Sequence, residues 1–105
     1  MPKSGSKKAK KPHWNDLVVR AAFASILVQR RRELKLKQHE IAYRSGYSEK
    51  YISMLERRIN TPSLTAALMI SDALGFDPTE VLGRVRSLMP RFKRLERKDR
   101  HAADV

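Results

Sequence analysis

A chain of 105 residues is long enough for one domain with one modest core plus tails, and too short for several. Its 23 Lys and Arg against 11 acids give a formal charge of +12, which calls for a polyanionic partner: nucleic acid first, an anionic membrane second. There is no cysteine, so disulfide stapling and thiolate metal sites are excluded and packing alone must stabilise the fold.

The charge is uneven. Residues 1–12 hold five Lys and no acid, residues 13–83 hold ten basic and eight acidic residues, and residues 84–105 hold eight and three. The basic N-terminus is not followed by an apolar run of signal-peptide form. The most apolar stretch, residues 17–28, is broken by Arg20 and is too short to span a bilayer. The expectation is a soluble, cytoplasmic protein.

Residues 1–13 read as a basic disordered tail, because Lys, Ser, Gly and Pro bury too little apolar surface to offset their ordering entropy. It is either a solvated tail or an arm on a nucleic-acid backbone. A first helix starts at Asn15 or Asp16, either of which can cap it, and carries Leu17, Ala21, Ala24, Leu27, Arg31 and Leu34 at helical spacing to about Lys35. A second, shorter helix runs from Gln38 to Ser45 with Ile41 and Ala42 inward, ended by Gly46. Ser48 caps a third, with Ile52 and Leu55 inward and Glu49, Lys50, Ser53 and Met54 on other faces. Ser63 caps a fourth, in which Leu64, Ala67, Leu68, Ser71 and Leu74 stack before Gly75. Asp77, Pro78 and Glu80 open a fifth that runs at least through Val85. Residues 89–105 read as a basic C-terminal tail or a frayed helix, with Phe92 and Leu95 as isolated apolar residues.

The second and third helices, joined by Gly46, Tyr47 and Ser48, meet the physical recipe for a helix-turn-helix: two short helices at a steep angle with a tight glycine turn. Ala42 suits the close crossing. The run Gln38-His39-Glu40-Ile41-Ala42-Tyr43-Arg44-Ser45-Gly46-Tyr47-Ser48, followed by Tyr51-Ile52-Ser53, Leu55-Glu56-Arg57 and Thr61-Pro62-Ser63-Leu64, resembles the Cro/C1-type (XRE-like) helix-turn-helix family over roughly residues 23–83. That resemblance implies a compact, all-α, five-helix domain over residues 14–88, lambda-repressor-like, with an extended first helix. Its third helix would enter the DNA major groove.

Roles follow by position. Gln38 resembles the family's phosphate-anchoring glutamine, at a helix N-terminus that suits anions. Glu49, Lys50, Ser53 and Met54, after Ser48, match positions that face base edges: Lys donates to guanine, Glu accepts from cytosine, and Met covers a thymine methyl. Arg44, Arg57 and Arg58 either contact phosphates or are solvated surface charges. Arg31 and Glu56 match a family ion pair that braces the recognition helix. Two departures matter. Lys35 and Arg58 stand where the family has Gly after a helix, and Lys37 replaces the usual hydroxyl cap of the second helix.

Ten of the twelve residues in 17–28 are Leu, Val, Ala, Phe or Ile, more than one buried stripe requires. Trp14 to Phe23 is therefore expected to pack against Leu82, Val85, Leu88 and Met89, within the chain or across a dimer. Catalysis has no support, since His13, His39 and His101 are scattered and no nucleophile has a base beside it. No metal-ligand cluster and no cofactor motif is present. Residues 91–100 have too few large apolar side chains for a membrane surface, and a protruding recognition helix fits DNA better than the narrow groove of an RNA duplex. The expectation is a non-enzymatic transcriptional regulator that binds double-stranded DNA, as a homodimer on a pseudo-palindromic operator. The alternative is an antitoxin-type module that binds a protein partner as well as DNA.

Overall fold

The computed structural model describes the backbone of residues 15–104 and the side chains of residues 15–94. The tail 1–13, Trp14, and the side chains of Leu95 and His101 lie outside the described residues. Five helices follow one another, and no strand occurs among the described residues: α1 (Asp16–Glu33), α2 (Gln38–Ser45), α3 (Glu49–Glu56), α4 (Leu64–Ala73) and α5 (Pro78–Asp104). The all-α, five-helix expectation is met.

Side-chain acceptors start four of them, each satisfying a backbone N–H that has no intrahelical partner. Asn15, not Asp16, caps α1 by accepting from Val18 N–H at 3.0 Å. Ser48 accepts from Tyr51 N–H at 3.0 Å, Ser63 from Ala66 N–H at 3.0 Å, and Asp77 Oδ1 from Thr79 N–H at 2.8 Å. The side chain of Lys37 has no acceptor atom, so α2 has half a capping box: Glu40 accepts from Lys37 N–H at 2.7 Å.

Four helices stop on a left-handed residue: Lys35 (φ 58), Gly46 (φ 84), Arg58 (φ 64) and Gly75 (φ 77). After α1, α3 and α4 the next N–H reaches back to the last turn, Leu36 to Arg31 O at 3.0 Å, Ile59 to Met54 O at 2.9 Å and Phe76 to Ser71 O at 2.9 Å, the wrapped Schellman stop. Lys35 and Arg58 hold this conformation without glycine's freedom, at a cost of ~1–2 kcal/mol each.

α1 explains its own composition. Val18, Ala21, Ala22, Phe23, Ala24, Ile26 and Leu27 are all buried, and α1 packs most extensively on α5 while also touching α3. Val18, Ala22, Phe23 and Ile26 join Val81, Val85 and Met89 in one cluster with Ile41, Ile52, Leu55, Ile70 and Leu74. The second burial partner is thus α5 of the same chain. Leu82 and Leu17 depart from expectation, being 49% and 55% exposed.

One further element differs from the sequence reading, and in another the structure selects between its two alternatives. In α4 the buried set is Ala66, Ala67, Ile70 and Ser71, whereas Leu64 and Leu68 are 67% and 40% exposed. The helix, which packs against α2, is rotated so that Ala66 and Ile70 join Ala67 and Ser71 on the buried face and Leu64 and Leu68 lie outward. α5 does not stop at Pro90. Met89 is buried and Phe92 packs against the core, so apolar anchors on both sides of the proline outweigh the one helix N–H it lacks.

Replacing Lys35 by Gly is expected to raise the unfolding free energy by ~0.5–1 kcal/mol, since the relieved strain is partly offset by glycine's freedom in the unfolded chain. Arg58→Gly gains less, because it also removes a guanidinium 5.1 Å from the Phe92 ring centre. Urea titration of both variants checks the order. A destabilised Lys35→Gly would contradict the strain assigned to that turn.

Candidate nucleic-acid interface

Gly46 makes the turn between α2 and α3, donating its N–H to Ala42 O at 2.9 Å while Tyr47 N–H reaches the same carbonyl at 3.1 Å. Ile41, Ala42 and Ser45 are buried on α2, and Ile52 and Leu55 on α3. The two helices therefore hold a fixed crossing through their inner faces, and the outer face of α3 is left to solvent.

At ~100° per residue, Glu49, Ser53, Arg57, Lys50 and Met54 fall in that order within an arc of ~140°, centred opposite Ile52 and Leu55. Ser48, Glu49, Lys50 and Arg57 are exposed, and Ser53 and Met54 are half-buried. The amide of Asn60 lies 4.0 Å from the Met54 sulfur, so Met54 is partly steadied from the following loop.

Behind this face sits a polar knot. Arg31 makes a two-pronged ion pair with Glu56, Nε to Oε2 at 2.6 Å and Nη2 to Oε1 at 3.0 Å, and donates Nη1 to Leu36 O at 2.9 Å. Gln38 Nε2 also donates to Glu56 Oε1, at 2.9 Å. One carboxylate thus ties the end of α3 to α1 and to the first residue of α2. The side chains of Arg31 and Glu56 are 15% and 8% exposed, so the charges are largely desolvated and depend on each other. Gln38 keeps one further N–H beyond this bond.

The remaining basic residues named from sequence are placed differently. Arg58 is exposed directly after α3. Arg44 is exposed on α2, but six positions after Gln38 it has turned by ~240°, so helix geometry alone does not bring it to the same side.

The sequence reading missed the tyrosines. Tyr47 and Tyr51 stack with ring centres 4.9 Å apart, and burial, with Tyr47 adding, raises the Tyr51 phenol above its ordinary pKa. Tyr43 is 90% exposed. No helical period marks the stacked pair, because Tyr47 lies in the turn and Tyr51 on α3. Arg20 was missed too; its Nε donates to Thr61 Oγ1 at 2.8 Å and fixes the loop after α3. Among the described residues no group of three or more His, Asp or Glu is placed to hold a metal ion, and no helix is long and apolar enough to cross a membrane.

Two short helices locked across a glycine turn, with a polar array facing outward, are the architecture of a helix-turn-helix regulator. A profile of the helix-turn-helix family matches residues 27–81, and the chain belongs to that family, in its Cro/C1-type branch. It is 34% identical over 64 residues to an HTH-type transcriptional regulator, y4dJ, of Sinorhizobium fredii, which covers 61% of this chain and 83% of the relative. Two crystal structures of the clp gene regulator ClgR from Corynebacterium glutamicum share the fold. One has a TM-score of 0.66 at 27% identity, covering 78% of this chain and 87% of that one. The other has 0.61 at 28%, covering 68% and 92%.

Glu56→Ala is expected to cost ~3–5 kcal/mol, because it leaves Arg31 charged and unpaired in a mostly buried setting. Replacing both Arg31 and Glu56 by Met recovers most of that loss. Denaturant midpoints of the single and double variants decide it, and a double variant no better than the single would show that packing, not the stranded charge, sets the cost.

Proposed function

We propose that this protein is a sequence-specific DNA-binding transcriptional regulator that acts as a homodimer on a pseudo-palindromic operator, in the cytoplasm. The observation that carries this reading is the outward array Glu49, Lys50, Ser53, Met54 and Arg57 on a helix braced from behind by Glu56. A rigid helix can enter the major groove, which is wide enough for it and carries a distinct donor and acceptor pattern for every base pair.

In this reading Lys50 donates to a guanine edge, Glu49 accepts from a cytosine amine, and Met54 covers a thymine methyl. Ser48 and Ser53 supply hydroxyls. Gln38 uses its remaining N–H and its place at the start of α2 on a phosphate, while Arg57 and Arg58 hold the backbone beyond the groove. Arg44 contacts a phosphate only where the backbone curves toward the other side of α2. Half-exposed Leu17 and Leu82, on two helices that pack together, offer apolar surface for a second copy. Two such copies would place their α3 helices about one helical turn, ~34 Å, apart.

Selection of bound duplexes from a random pool tests the reading. The expected result is an inverted repeat with half-site centres ~10 base pairs apart, and scrambled DNA weaker by ~10³-fold or more. Glu49→Ala is expected to raise affinity for random DNA, because the carboxylate repels nearby phosphates. A pool that enriches no sequence would overturn the proposal.

A further inference from the structure

The end of α5 supplies a cluster that the recognition helix does not explain. The Phe92 ring has two guanidiniums near it, Arg58 at 5.1 Å and Arg91 at 5.9 Å from its centre. Arg58 comes from the turn after α3 and Arg91 from α5, so one ring gathers positive charge from two elements. Arg94, three positions after Arg91, is exposed and lies ~60° round the helix from it, and Arg57 precedes Arg58. There is no acid between Glu80 and Glu96.

Like charges brought together repel, and three arginines elsewhere in the fold are given acids. Arg30 has Glu33 at 3.4 Å, Arg31 has Glu56 at 2.6 Å, and Arg84 has Glu80 at 2.9 Å. Among the described residues neither Arg58 nor Arg91 has such a partner. Each has the Phe92 ring instead, and a cation–π contact does not use up the guanidinium N–H donors, which can still take an anion. That geometry suits an anion brought from outside.

We propose that Arg58 and Arg91, gathered at Phe92, together with Arg94 on the same side of α5, form a second DNA contact: a phosphate clamp on the backbone next to the C-terminal end of α3. The inference rests on the operator reading for its place, and it brings α5 into an interface otherwise built from α2 and α3. The occupant is the phosphodiester backbone because the cluster offers several cations and little apolar surface, so it adds affinity without reading sequence.

The test uses the full chain with Arg91→Gln and Arg94→Gln together, titrated with the selected operator and with a random duplex at several salt concentrations. The expected result is a logarithmic salt slope shallower by about 2 on both duplexes, with the operator preference changed by less than ~3-fold. Arg91→Lys with Arg94→Lys, which keeps the charge, is expected to retain the slope. Should the double variant melt early, Arg94→Gln alone, at an exposed position, is expected to lower the slope by about 1. An unchanged slope on both duplexes would overturn the clamp while leaving the operator reading intact. So would an unchanged slope with an altered oligomeric mass, which would assign the cluster to self-association. If the unmodified chain preferred no sequence, the operator reading would fail, and a slope still lowered on random duplex would support the clamp alone.

Discussion

The Glu56 carboxylate is the interaction on which the rest of the site depends. It receives two bonds from Arg31 and one from Gln38, and Arg31 is itself tied to the Leu36 carbonyl. Three helices and the loop between α1 and α2 therefore meet at a single acid at the end of α3. Such a pair adds little net stability against an apolar replacement, but its geometry is demanding, and removing either member strands a charge. Its contribution is to orientation. An eight-residue helix has little intrinsic stability, and one held at its N-terminal end by the Ser48 cap and the Gly46 turn, and at its C-terminal end by this knot, presents its outer face at one angle.

The apolar core serves the same end from the other side. α1 lies against both α5 and α3, so its buried stripe is wider than a surface helix needs and its length sets the frame. Arg20 on Thr61 and Arg30 on the Leu74 carbonyl then pin the loop after α3 and the end of α4 to that frame. The array on α3 stands on a rigid scaffold, which the proposed base reading requires, because hydrogen bonds to base edges tolerate little displacement.

Much of this was legible in the residues. Caps at Ser48 and Ser63 and stops at Gly46 and Gly75 are local chemistry, and local chemistry can be read in one dimension. The left-handed turns at Lys35 and Arg58 carry no such local mark; only the family resemblance, which has Gly at those places, pointed to them. The face of α4 could not be read locally. Its sequence is apolar on nearly every side, so a stripe through Leu64 and Leu68 and one through Ala66 and Ile70 fit the helical period equally well, and only the packing against α2 selects the second. The course of α5 past Pro90 was illegible for a related reason: the cost of the proline is local, whereas the burial of Met89 and the packing of Phe92 against the core are tertiary. The bond between Gln38 and Glu56 joins residues 18 positions apart, and the cluster around Phe92 joins α5 to the turn after α3. Neither leaves a periodic trace in the sequence.

The central claim is that the outer face of α3 touches base edges, and position-by-position binding tests it most directly. Wild type and Lys50→Ala would be titrated against the selected operator and against variants carrying each other base pair at every position. The account predicts that Lys50→Ala loses discrimination, by ~1–3 kcal/mol, at one symmetry-related pair of positions and keeps it elsewhere. Uniform weakening at every position, with discrimination intact throughout, would place Lys50 on the backbone and contradict the claim.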